Sequence, residues 1–198
     1  MIEFKNLNQE KPYLLFKKKY DEALNAGQKS IEAISIASFN KAKNEVDSRF
    51  VNLKIIDNDN FIFFSNYNSP KSLAFKSHNQ VSVNIYWPVI DLQIRMKAEI
   101  SKKKRSYNQA YFLNRSAKKN ALAISSDQSK SIASYYLVVK KYNEVKKDMD
   151  LKECPEYWGG FVFQPYEIEF WEGNSFRLNK RNMYKLVDNT WHHSILQP

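Results

Sequence analysis

The chain is poor in the residues that staple or interrupt a fold: it has 198 residues with one Cys, four Gly and six Pro. The single cysteine, Cys154, excludes an intrachain disulfide framework and a thiolate zinc cluster. No G-x-G-x-x-G fingerprint and no Walker A loop occur, so the common Gly-rich phosphate cradles are absent. Histidine is almost as scarce, at three. His78 lies in a polar run, and the adjacent His192 and His193 point to opposite faces of any strand. No His/Asp/Ser or Cys/His arrangement marks a nucleophilic enzyme, and no histidine pair has helical metal spacing, so no metal site is expected. No apolar run approaches the about 20 residues that cross a bilayer. The opening stretch "MIEFKNLNQEKPYLLFKKKYDEA" scatters charges among its apolar residues, unlike a signal peptide. A reducing, cytoplasmic setting with no membrane partner is expected.

Hydrophobic residues make up 43% of the chain and aromatics 15%. That is a globular composition, and the length fits one domain over 1–198 with an N-terminal helical segment over about 1–30. The formal net charge of +10 invites a nucleic-acid reading. The basic clusters are scattered, however, at Lys17–Lys19, Lys102–Arg105, Lys118–Lys119, Lys140–Lys141 and Lys146–Lys147. Solvated faces explain them, nucleic acid is not expected as the main partner, and a phosphorylated small molecule would use only a few of these charges.

"KPYLLFKKKYDEALNAG", from Lys11, carries Leu14, Leu15 and Leu24 among charges and stops at Gly27, which predicts an amphipathic helix. Strands are predicted from Ile31 ("IEAISIASF"), from Ser48 ("SRFVNLKII") and over 61–66 ("FIFFSN"), the last two joined by the turn "DNDN". "SPKSLAFKSH" reads as a short helix capped by Ser69 with Pro70 at its first position. Strands follow from Val81 and Leu92, then helical spacing from Ser106 to about Lys147, then strands from Trp158 to the end. Short antiparallel strands in this number suggest a closed barrel with flanking helices, an α+β fold that is mainly β.

Several stretches carry chemistry. In "RFVNLK", Arg49, Val51 and Leu53 point one way and Phe50, Asn52 and Lys54 the other, so the two end cations can serve different anions or simply mark a solvated edge strand. In "AYFLNRSAKK", a helix would align Tyr111, Arg115 and Lys119 as a phosphate-binding stripe or a solvated face. Gln128 and Ser129 are placed to cap the following helix, whose N-terminus then suits phosphate. Gln93 and Arg95 share one strand face opposite Leu92, Ile94 and Met96. A strand through "FRLNKR" would put Arg177, Asn179 and Arg181 on one face, which is no core face.

Taken in order, "RFVNLK", "FIFFSNYNSPKS", "LQIRMKAEI", "AYFLNR", "DQSKSI", "WGGFVFQPYEIEFWEG" and "RLNKR" resemble the motifs of the pyridoxamine 5′-phosphate oxidase family. The family has R-x-V-x-L-K, F-x-F-x-T-N-Y-x-S-R-K, R-Q-V-R, Y-F-x-x-R-P, Q-S, W-G-G-F…I-E-F-W-Q-G and R-L-H-D-R. The resemblance runs from about Ile31 to the C-terminus. It implies an FMN-binding split barrel working as a homodimer, with two FMN molecules at the subunit interface. It further implies oxidation of pyridoxamine or pyridoxine 5′-phosphate to pyridoxal 5′-phosphate: a hydride leaves C4′ for flavin N5, and dioxygen reoxidises the flavin to give hydrogen peroxide.

Carried over residue by residue, the resemblance implies an FMN set of Arg49, Phe50, Val51, Asn52, Leu53, Lys54, Phe64, Ser65, Lys71, Gln93, Gln128, Ser129, Trp171 and Arg181. Arg49 and Lys71 would neutralise the FMN phosphate, and Gln93 would reach the polar edge of the ring. The implied substrate set is Lys54, Tyr111, Arg115 and Lys119 at the phosphate, with Asn179 nearby and Arg177 over the pyridine ring as the catalytic group. The chain departs from the pattern at several of these positions. Pro70 replaces an Arg, Lys119 stands for a Ser, Ser116 for a Pro, Asn52 for an apolar residue and Asn179 for a His. An amide at 179 hydrogen-bonds but shuttles no proton near neutral pH. These departures leave room for a relative that oxidises another heterocycle, such as a phenazine precursor, or for a non-catalytic FMN- or pyridoxal-phosphate-binding protein.

Overall fold

The computed structural model describes residues 1–198. Nine strands form one sheet: β1 (Glu3–Lys5), β2 (Ala33–Asn40), β3 (Glu45–Asp57), β4 (Asn60–Asn66), β5 (Gln80–Trp87), β6 (Leu92–Lys102), β7 (Trp158–Glu172), β8 (Lys180–Val187) and β9 (Thr190–Leu196). The helices are α1 (Lys11–Asn25), α2 (Pro70–Ser77), α3 (Arg105–Leu113), α4 (Ala117–Ser125) and α5 (Tyr135–Asp148). None is long and apolar enough to cross a membrane.

Strands β3, β2, β5, β6, β7 and β4 pair in that order, and β4 returns to β3, closing a ring. The two long strands split between neighbours. β3 runs along β2 over 45–52 and then along β4 over 53–57. β7 pairs with β4 over 158–163 and with β8 over 167–172. The hairpin β8–β9 therefore leaves the ring at β7. A register shift at Lys97/Ala98 against β7 lets Pro165, which has no N–H to donate, sit in a strand interior.

Alternation sorts the faces as the sequence predicts. Leu92, Ile94 and Met96 are buried, while Gln93 is half-buried and Arg95 exposed. The barrel core is aromatic: Phe61 stacks on Phe163 and Phe63 on Phe161, at 5.2 and 5.5 Å between centroids. Helix α1 plugs one end, with Phe16 edge-on to Phe61 and Trp87.

Several expectations need correction. The buried stripe of α1 is Tyr13, Phe16, Tyr20 and Ala23, whereas Leu14 and Leu24 are exposed, because the rings fill the wide barrel mouth. Ser69 occupies the N-cap of α2, but its hydroxyl donates to the Asn66 carbonyl instead of capping. The helical middle is three helices, broken over 114–116 and again over 126–134. Strand β1, three residues parallel to β3, is too short for its period to show in the sequence.

Candidate active site

Outside the barrel wall, a cavity of about 630 Å³ is lined by Met1, Glu32, Phe50, Val51, Asn52, Lys54, Phe64, Ser65, Lys71, Tyr111, Arg115, Lys119 and Gln128. Most of the residues marked by "RFVNLK", "FIFFSN", "AYFLNR" and "DQS" converge there. The β3 stretch from Phe50 to Lys54 is one wall, β4 supplies Phe64 and Ser65, and the first turn of α2 supplies Lys71. Leu53 is fully buried and does not line the cavity.

The electrostatics of one end are unusual. Lys71 is 8% exposed, and its ammonium donates only to Ser69 Oγ at 3.0 Å and Gln128 Oε1 at 3.4 Å. Burial, and then the charge of Arg49, push its pKa down to about 8. Arg49 is anchored by Nη1 to Ser38 Oγ at 2.8 Å and the Ile36 carbonyl at 3.3 Å, with Asp47 at 3.4 Å from Nη2. Burial lowers its pKa too. Arg49 is not itself among the lining residues, but a buried lysine in the field of an arginine, with no carboxylate paired to the lysine, has the chemistry to hold an anion.

Gln128 does not cap a helix. Its Oε1 accepts from Ser65 Oγ at 3.2 Å, from the Asn66 N–H and from Lys71, while Ser134 caps α5 by accepting from Leu137 N–H. Ser129 is exposed with φ of 69°. The loop before α5 thus folds back onto β4, which explains why the cap falls later.

The other end holds Tyr111, Arg115 and Lys119. They do not form a stripe on one helix, since Arg115 lies in the break between α3 and α4. The three meet at the cavity from α3, the break and α4 respectively. Arg115 lies 4.6 Å from the Trp158 ring and donates to the Lys119 carbonyl and Asn120 Oδ1 at 3.2 and 3.1 Å. Phe64 is stacked on Tyr111 at 3.6 Å and on Trp158 at 5.2 Å. Burial raises the Tyr111 phenol pKa even beside Arg115, so it stays a hydrogen-bond donor at neutral pH. Lys54 lies 3.6 Å from Glu32. Sequence reasoning missed Glu32, the one acid in this wall, and Trp158, whose place beside the W-G-G glycines was its only signal.

A second group sits elsewhere. Gln93, Trp171 and Arg181 form one row across β6, β7 and β8, because Gln93 pairs with Trp171 and Trp171 with Arg181. Their face lies opposite the buried Ile94, Ile168 and Phe170, outside the barrel, and none of them lines the cavity. Arg177 and Asn179 are not on a strand with Arg181. They lie in the turn before β8, where Arg177 has φ of 60° and its N–H donates to the Asn174 carbonyl. Asn179 Oδ1 accepts from the Asn174 N–H at 3.1 Å and closes this turn. Asparagine side chains therefore override the strand period there.

Residues 158–198 match the model described as the pyridoxine 5′-phosphate oxidase C-terminal dimerisation region. A pyridoxine/pyridoxamine 5′-phosphate oxidase of Legionella pneumophila (strain Lens) is 33% identical over 189 residues, 94% of this chain and 87% of that one. The chain belongs to the pyridoxine/pyridoxamine 5′-phosphate oxidase family. The crystal structure of PhzG from Burkholderia lata 383, in complex with tetrahydrophenazine-1-carboxylic acid, superimposes with a TM-score of 0.87 at 25% identity, covering 95% of this chain and 93% of that one. A pyridoxamine 5′-phosphate oxidase-related, FMN binding protein from Nostoc punctiforme has the same fold, at a TM-score of 0.79 and 12% identity over 96% of this chain and 99% of that one. The split barrel is therefore the family's fold, and an oxidoreductase of this flavin-linked family is the class of the chain.

Proposed function

We propose that the protein is an FMN-dependent oxidase that converts pyridoxamine or pyridoxine 5′-phosphate to pyridoxal 5′-phosphate, with dioxygen as acceptor and hydrogen peroxide as by-product. The observation that carries the reading is buried Lys71, which has an arginine beside it and no carboxylate paired to it. A phosphate monoester carries the negative charge that Lys71 lacks among its partners. The residues present thus fit FMN at that end.

FMN, when bound, supplies the hydride acceptor and its reoxidation by dioxygen. The chain's residues do the rest. Arg49 and Lys71 hold the cofactor phosphate, with Ser65 and Gln128 closing around it. Tyr111, Arg115, Lys119 and Lys54 hold the substrate phosphate at the far end. Binding both ends of the substrate and cofactor pair converts diffusion into orientation, the main task left to the protein. Arg177, in its turn, offers a guanidinium to the pyridine ring.

The reading also needs a second copy. Gln93, Trp171 and Arg181 lie outside the cavity of their own chain, and the stretch from 158 that matches the dimerisation region carries Trp171, Arg177, Asn179 and Arg181. A homodimer in which each tail region completes the partner's cavity accounts for both facts.

One observation favours a second reading. Asn179 stands where the family pattern has His and is engaged in closing its own turn. Together with the likeness to PhzG, this supports an oxidase for a reduced heterocycle related to phenazine precursors. Peroxide release separates the two. Turnover of pyridoxine or pyridoxamine 5′-phosphate supports the first reading. Turnover of reduced tricyclic carboxylic acids, with none of either vitamer phosphate, supports the second.

A further inference from the structure

On the outer face of β6–β8 one carboxylate stands between two guanidiniums. The Glu169 side chain is only 4% exposed. Its Oε1 accepts from Arg181 Nε at 2.7 Å and its Oε2 from Arg95 Nη1 at 3.1 Å. Arg181 is gripped a second time, since its Nη1 donates to the Gln197 carbonyl at 2.9 Å. Its Nη2 has no partner within the chain.

The contact runs against the simplest expectation from register. Arg181 lies opposite Trp171, and Glu169 lies opposite Met183, so the Arg181 side chain reaches diagonally to the carboxylate. An arginine free of such a hold spreads over many rotamers, at about 2 kcal/mol of entropy. The neighbouring row repeats the charge pattern without the burial. Lys97 and Lys185 each lie 3.2 Å from Glu167, whose side chain is 15% exposed.

We infer that Glu169, together with the Gln197 carbonyl, is a positioning residue for Arg181: the two fix the guanidinium beside Trp171 with Nη2 free to meet the cofactor. Glu169 acts only through Arg181. The inference rests on the reading of Arg181 as cofactor-binding.

The test is an FMN titration by flavin fluorescence quenching on the full-length protein, with the melting temperature of each flavin-free variant measured alongside. Glu169→Gln weakens FMN binding by about ten- to a hundredfold, the range for a lost hydrogen bond to a charged group. In an Arg181→Ala background the same change adds no more than about twofold, because the residue it positions is gone. Glu167→Gln stays within about twofold of wild type. If Glu169→Gln fails to fold, Glu169→Asp carries the test, since it keeps the buried charge but draws the carboxylate back from Arg181 Nε, and it weakens binding by about tenfold. Wild-type affinity in Glu169→Gln, or an equal loss in the Arg181→Ala background, overturns the inference alone. A wild-type protein that quenches no flavin overturns the functional reading and this inference with it.

Discussion

The Lys71 ammonium lies buried in the field of the Arg49 guanidinium, and its only partners are a hydroxyl and an amide oxygen. Like charges are held together here at a cost to the fold. Pro70 stands where the family pattern has another cation, yet it starts α2 at a position that suits proline and so sets Lys71 in the first helical turn. The cost makes sense if a phosphate repays it.

Replacing Lys71 by Met separates the two sides of that exchange. The folded pKa of about 8 lies below the ordinary 10.5, so the folded flavin-free protein binds fewer protons than the unfolded chain between those values. Stability therefore rises with pH across that window, and below it the charged lysine costs roughly 3 kcal/mol. Lys71→Met is expected to raise the melting temperature of the flavin-free protein at pH 7 by several degrees and to weaken FMN binding at least tenfold, about 1.4 kcal/mol. A lower melting temperature would show that Lys71 is a structural residue.

The same group predicts a pH dependence of binding. A bound phosphate favours the ammonium and raises its pKa, so binding takes up a proton wherever the free protein has lost it. Affinity for FMN should be flat below about pH 8 on account of this group and fall as pH rises above it. In Lys71→Met that fall should vanish. An affinity that rises through pH 9 would contradict the assignment.

Arg177 and Arg181 should fail differently. Arg177 sits in a turn and Arg181 in the β8 ladder beside Trp171. Arg177→Ala is expected to slow flavin reduction by substrate at least tenfold while FMN affinity changes by less than about threefold. Arg181→Ala is expected to do the reverse. Stopped-flow reduction and flavin titration on both variants check this, and loss of FMN alone in both would show that the division of roles is wrong.

Gly159 tests the wall behind the site. A methyl group there would fall on Asn108 Nδ2 and the Tyr67 hydroxyl. Those groups form a closed set: Asn108 donates to Tyr67 Oη at 2.9 Å, Tyr67 donates to the Gly160 carbonyl, and the Gly160 N–H donates to Asn108 Oδ1. Gly159→Ala should destabilise the protein by about 2–3 kcal/mol in urea unfolding. A cost below about 0.5 kcal/mol would mean that the network relaxes freely.

Strands were the most legible part of the chain, because a half-buried strand writes its period directly: β5 alternates buried and exposed without a break. The cavity-facing residues were legible as motifs but not as geometry. Nothing about "NRS" says that α3 stops there, since the break has no Gly or Pro, yet that break turns Arg115 inward. Arg177 departs from the strand period because the side chains of Asn174 and Asn179 satisfy backbone N–H groups locally. Glu169 was within reach, as it alternates with Trp171 in "EIEFW" and had to share its face. What lies against that face is not written in the period of one chain.

The proposed function requires that FMN, if held at the Lys71 end of this cavity, be reduced by a vitamin B6 phosphate held at the Tyr111 and Arg115 end. The most direct measurement is the visible spectrum of the FMN-loaded protein, followed without oxygen on adding pyridoxamine or pyridoxine 5′-phosphate and then on admitting air. Bleaching of the flavin band by at least one of the two, and its return with air, is the expected result. A bound flavin that neither compound bleaches would contradict the proposed function.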